Sequence, residues 1–213
     1  MSTPAEPGRP SRALPTAYER HGTLDLARNR IAALVLAAAS AVLLVAFGWL
    51  TLRFVGAVRP EAGPLDVRIA GGGELLRVLA TLGVVTGVVV LVHEGLHGLG
   101  FWLVTGQRPR FGLRGLYAYA GAPGWYIPAA RYLPIALAPL TVMTPGGLAL
   151  LTLVPSQAIP ALVAAIALNA AGAVGDLAVV GWLLAQPRST LVHDSGEAVT
   201  LYRPRDRRSD RPR

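Results

Sequence analysis

The stretch Leu91-Val92-His93-Glu94-Gly95-Leu96-His97-Gly98-Leu99-Gly100 lies inside a longer apolar run, Leu75 to Val104. A helix of about 20 apolar residues crosses a bilayer, so this run suffices. On a helix, residues four apart differ by about 40° in direction, and His93 and His97 therefore leave from one face. Two imidazoles on one face can hold a zinc ion, and Glu94 between them can take a proton from an attacking water. An Asp or Arg in a span costs about 2.5–3.5 kcal/mol on insertion scales and is kept for function. Three ionisable groups within five residues need a partner, and a divalent cation supplies one.

The composition agrees with a membrane setting. Of the 213 residues, 53% are hydrophobic and 15% charged, with mean hydropathy +0.47. That profile excludes an ordinary soluble domain. No cysteine is present, so any metal must be held by His, Asp, Glu or backbone oxygen. The net charge of +8 rests on arginine, because the chain has no lysine. Most arginines lie outside the apolar runs, where they act as topology signals. The tail Arg203–Arg213 also carries Asp206 and Asp210 and has no aromatic residue. A nucleic-acid surface would need stacking groups, so this tail reads as solvated and lipid-facing.

Four apolar runs follow one another: Ile31–Val55, Leu75–Val104, Leu133–Val154 and Ala161–Ala185. The third is broken in character by Pro134, Pro139 and Pro145. Between the second and third lies a basic, aromatic segment, Gly106 to Arg131. Alternation in Arg110–Arg114 and Leu116–Tyr119 predicts two strands, with Gly121-Ala122-Pro123-Gly124 as their turn. The segment is either an interfacial loop with aromatic anchors or a hairpin whose edge pairs with an extended peptide. The expected fold is an all-α membrane protein. Its four transmembrane helices carry a small cytoplasmic-side β-hairpin-like insertion between helices two and three. Residues 1–30 read as a disordered cytoplasmic arm and 31–187 as the four-helix domain. Residues 188–202 read as a short ordered tail, hairpin-like around Ser195-Gly196, and 203–213 as a disordered Arg-rich end. Four helices put the arm, the basic loop and the tail on one side, with sixteen arginines against four in the first loop and its flanks. The positive-inside rule makes that side cytoplasmic.

A catalytic zinc usually has three protein ligands and one open position. The other histidines are His21, in the arm, and His193, in the tail. The better third ligand is Asp176, a carboxylate inside the fourth apolar run. Asn169 lies seven residues before it, on nearly the same helix face. Gly172 and Ala173 fall between them, so another helix can approach closely. Asn169 could hydrogen-bond a ligand or a substrate carbonyl.

His93-Glu94-x-x-His97-Gly98, Ala120–Tyr126, Ala138-Pro139, Gly175-Asp176-Leu177 and Val192-His193-Asp194 occur in that order. Together they resemble the bacterial putative zincin peptidases over residues 75–202. More remotely, the layout is similar to the site-two protease class of intramembrane metalloproteases. The resemblance implies zinc on His93, His97 and Asp176, with Glu94 as the catalytic base. The site-two class has prolines between its Asn and Asp; here the intervening residues are Ala, Gly and Val. This leaves open whether Asn169 meets substrate or a metal ligand.

The expected function is therefore an intramembrane zinc metallopeptidase of a bacterial cell membrane. Its partners would be the bilayer and a membrane protein or peptide substrate, with one zinc per chain and no nucleic acid. The rival is a non-catalytic membrane metal-binding protein, a regulator or a transporter subunit. A transport path wants polar residues at several depths, and the first and third runs offer few beyond Thr141 and Thr144.

Overall fold

In lipid, a helix is favoured because it satisfies every backbone N–H and C=O within its own segment. Four stretches are long and apolar enough to cross a membrane: Arg30–Val58, Gly72–Thr105, Ala129–Leu151 and Ser156–Leu184. The computed structural model describes residues 8–24, 30–62, 71–114 and 117–205. In chain order it contains strand β1 (Tyr18–Leu24), helices α1 (Arg30–Val58) and α2 (Gly72–Thr105), and strands β2 (Arg110–Arg114), β3 (Tyr117–Gly121) and β4 (Ile127–Pro128). Helices α3 (Ala129–Leu151), α4 (Ile159–Gly172) and α5 (Val174–Leu184) follow, then strands β5 (Leu191–Asp194) and β6 (Val199–Pro204). Side chains such as Val35, Val45, Leu91 and Leu103 are more than 60% exposed. Lipid tails, not a protein core, suit such faces.

The chain forms two compact units, and the division runs through α2 and α3 and near the start of α5. One unit comprises Arg30–Glu94 and Ala138–Gly175. Its core is Val55, Leu151, Ile159, Val163 and Ile166, where α1 packs against α4. Ser40 Oγ donates to the Ala171 carbonyl across that contact, at 2.7 Å. Arg59 is more than a topology signal. Its guanidinium donates to the carbonyls of Leu151 and Val154, at 3.1 and 3.0 Å. Leu151 ends α3 and Val154 lies just beyond it, where carbonyls lack helical partners and favour a cation.

The other unit comprises the N-terminal segment, Gly95–Leu137 and Asp176–Arg213. It contains a four-stranded antiparallel sheet of order β1-β6-β5-β4, and a separate hairpin of β2 and β3. Phe101, Ile127, Tyr132, Ile135, Val180, Val192 and Leu201 fill its core.

The spans and the β5–β6 hairpin agree with the sequence reading, but four expectations change. The chain is mostly helical without being all-α, since two small antiparallel sheets accompany the helices. The arm of residues 1–30 is ordered at Tyr18–Leu24, which pair with Val199–Pro204. Residues 1–7, 25–29 and 206–213 lie outside the described residues. Strands β2 and β3 pair from Arg110–Gly121 to Arg114–Tyr117, so the turn at Pro123–Gly124 follows β3 and does not join the two strands. Helix α3 continues through Pro134, Pro139 and Pro145; each proline removes one helical hydrogen bond, and in a span other groups can take up the freed carbonyl.

Gly121 ends β3 because nothing larger fits there. A Cβ would lie 2.6 Å from the Gly196 nitrogen and 2.9 Å from the Gly196 Cα and the Ser195 carbonyl carbon. These are backbone atoms of the β5–β6 turn and cannot swing away. Gly121→Ala should therefore lower stability by roughly 1–3 kcal/mol, read as a lower melting temperature in detergent. An unchanged melting temperature would mean that β3 does not lie against that turn.

Candidate metal centre

His93 and His97 occupy successive turns of α2, and each is 8% exposed. The tautomer of each ring follows from its neighbours. Pro139 has no N–H, so the Ile135 carbonyl, four residues earlier in α3, loses its helical donor. His97 Nδ1 lies 2.9 Å from that carbonyl oxygen. A carbonyl only accepts, so Nδ1 carries the proton and donates it. Gly100 allows the approach: a Cβ there would stand 3.1 Å from two Ile135 carbons.

The same logic fixes His93. Asn169 is wholly buried, and its Nδ2 donates to the Pro139 carbonyl at 3.2 Å. That turns Asn169 Oδ1 towards His93 Nδ1, 3.0 Å away. An amide oxygen also only accepts, so His93 Nδ1 is the donor. Gly172 presents no side chain to the ring, whose Cε1 lies 4.0 Å from where a Cβ would be. The small stripe read in the sequence thus receives the histidine.

Asp176 sits in the first turn of α5. The fourth run is two helices, not one: α4 ends at Gly172, and Ala173, at φ −71° and ψ 0°, separates it from α5. A helix start favours negative charge by about 0.3–1 kcal/mol, which suits a carboxylate there. Asp176 Oδ1 lies 3.3 Å from His97 Nε2.

That contact tests whether a metal fits. With Nδ1 donating, a neutral His97 presents an Nε2 lone pair to a carboxylate oxygen. A cation shared by the two atoms would satisfy that contact. His93 Nδ1 is anchored on an acceptor in the same way. Anchoring Nδ1 on a backbone or side-chain acceptor is how metal-binding imidazoles are usually oriented. Among the described residues, His93, His97 and Asp176 form the group able to hold an ion, with one ligand atom of each within 4.8 Å of the others. The donor set fits zinc.

Glu94 is half-buried on α2 between the two histidines. His193 has another role: its Nε2 accepts from the Gly124 N–H at 3.2 Å, and its ring packs 5.5 Å from Tyr126. His21 lies exposed on β1.

Sequence reasoning missed the polar support nearby. Tyr132, one turn before Ile135 on α3, donates its hydroxyl to Asp194 Oδ2 at 2.5 Å, and both residues are buried. Asp194 Oδ1 accepts from the Gly196 N–H at 2.7 Å. Burial is the main cause that raises the Asp194 carboxyl above its ordinary range, while the Tyr132 and Gly196 donors and His97 pull it back. Any stability Asp194 adds is therefore full below its unfolded value and lost as pH rises through the folded one. In the sequence, Asp194 stood only in Val192-His193-Asp194, beside the hairpin-like Ser195-Gly196.

These features define a class: a helical protein with membrane-length spans and a His, His, carboxylate group able to hold a metal ion. Residues 86–191 match a family model described as putative zincin peptidase. The description implies zinc and points to metallopeptidase activity. The matched stretch contains His93, Glu94, His97, Asn169 and Asp176, while β1 and β6 lie outside it. Comparison with curated proteins and with solved structures gave no match.

Proposed function

We propose that this chain is an intramembrane zinc metalloendopeptidase that hydrolyses a peptide bond of a membrane-associated substrate. His93, His97 and Asp176 hold one zinc per chain, and Glu94 is the proton carrier. The observation that carries this reading is the group of His93, His97 and Asp176, with one ligand atom of each within 4.8 Å of the others and each imidazole Nδ1 beside an acceptor. Bound zinc supplies Lewis acidity towards the scissile carbonyl and the attacking water. Glu94 takes a proton from that water and later delivers it to the leaving amine. Asn169 and the Ile135 carbonyl keep the two rings aimed. The spans exclude bulk water.

A substrate helix has every backbone group bonded internally and must unwind before cleavage. An unwound strand needs partners, and the outer edges of the β2–β3 hairpin offer them by strand addition. Orientation is part of the proposal. β1 precedes the first span and β6 follows the last, and the two pair in one sheet. This supports placing both termini on one side, and the arginine bias makes it the cytoplasmic side of a bacterial cell membrane.

The test is metal removal and return. Full-length protein and a single-span membrane substrate are co-reconstituted in liposomes, and products are read by mass spectrometry. Chelation should stop cleavage, and added zinc should restore it at the same bond. A zinc-loaded protein that cleaves no candidate from a membrane-protein library would favour the non-catalytic metal-binding reading.

A further inference from the structure

Beyond the last turn of α2 lies a cleft of about 150 Å³, lined by Arg12, Arg108 and Arg110 together with Thr105, Gln107 and Trp125. Three arginines line one small space, and no carboxylate does. At about 30 Å³ per liquid water, the volume is that of about five waters. That suits a tetrahedral oxyanion. Arg12 is pre-positioned from two sides. Its Nη2 donates to Gln107 Oε1 at 3.2 Å, and its guanidinium lies 5.3 Å from the Trp125 ring centre. The C-terminal end of α2 works against an anion, but with only about half a charge against three whole ones.

We propose that this cleft binds the phosphate of an anionic phospholipid. The choice of a lipid rests on what adjoins the cleft. Thr105 is the last residue of a membrane-length helix. On the same last turn, Trp102 is 51% and Leu103 71% exposed. An exposed tryptophan at a span's end marks the headgroup level, and acyl chains can run along Leu103 while the phosphate enters the cleft. Arginine forks suit phosphate oxygens in paired hydrogen bonds. In the orientation proposed above, on which this inference rests, the cleft faces the cytoplasmic leaflet, where anionic lipid is concentrated.

The experiment is native mass spectrometry of the full-length protein in detergent, titrated separately with phosphatidylglycerol, phosphatidylcholine and inorganic phosphate. The wild type should retain phosphatidylglycerol in preference to phosphatidylcholine. An arginine near an anionic surface contributes about five-fold, so Arg108→Gln/Arg110→Gln should weaken that retention about thirty-fold. Arg12→Gln, which leaves β2 untouched, should weaken it about five-fold. The control Arg188→Gln/Arg205→Gln removes equal charge from exposed sites outside the cleft and should leave retention unchanged. Equal loss in the control pair, equal binding of phosphatidylcholine, or wild-type retention in Arg12→Gln would overturn the proposal. Displacement of phosphatidylglycerol by equimolar inorganic phosphate would make free phosphate the ligand instead. None of these readings depends on peptide cleavage, so this inference and the peptidase reading fail separately.

Discussion

Glu94→Gln is expected to leave zinc bound and to lower peptide cleavage by about 10²–10⁴-fold, the usual share of general acid–base catalysis. The side chains have the same shape, so packing on α2 is kept. What changes is chemistry: a neutral amide cannot accept a proton from water or return one to an amine. Glu94 follows His93 and precedes His97 by three residues on one helix, and the proposed mechanism gives its carboxylate the proton and not the metal. The variant should therefore match the wild type in metal content while its substrate stays intact. Full cleavage by the variant would remove Glu94 from the mechanism, whereas loss of zinc would make it a ligand.

Asn169→Leu is expected to weaken zinc binding by about 10–100-fold and to destabilise the fold as well. Asn169 bridges two groups: it accepts from His93 Nδ1 and donates to the Pro139 carbonyl. Leucine fills the space but leaves both groups buried and unpaired, at about 1–3 kcal/mol each. It also frees the His93 ring to turn or to change tautomer. Asn169→Asp separates orientation from packing, because a carboxylate still accepts from Nδ1 but cannot donate to Pro139. Zinc affinity, measured by competition with a chelator, should rank wild type above Asp and Asp above Leu. Equal affinity in all three would show that the hydrogen bond does not orient His93.

The parts of this architecture that were legible in the sequence are those with local signals. Four long apolar runs give spans, because a bilayer demands length and little else. The two histidines could be placed on one face because a single helix carries both. Asp176 stood out as a lone carboxylate among apolar residues. The rest depends on partners far away in sequence. β1 lies in a Pro- and Arg-rich arm and becomes a strand only because β6, some 180 residues later, pairs with it. Of Gly121-Ala122-Pro123-Gly124, Pro123 and Gly124 do turn, but after β3, and Gly121 belongs to a strand pressed against the Gly196 backbone. The break at Ala173 has no proline to announce it. Pro139 looked like a helix breaker. Its effect is instead to free the Ile135 carbonyl, which becomes the anchor of His97.

The most direct test is the metal content of the full-length protein, purified in detergent and measured by inductively coupled plasma mass spectrometry beside His97→Ala and Asp176→Ala. The account predicts about one zinc per chain in the wild type, as a three-ligand site of the catalytic kind requires, and its loss in both variants with the fold retained. A wild type without metal, or zinc held undiminished without Asp176, would contradict it.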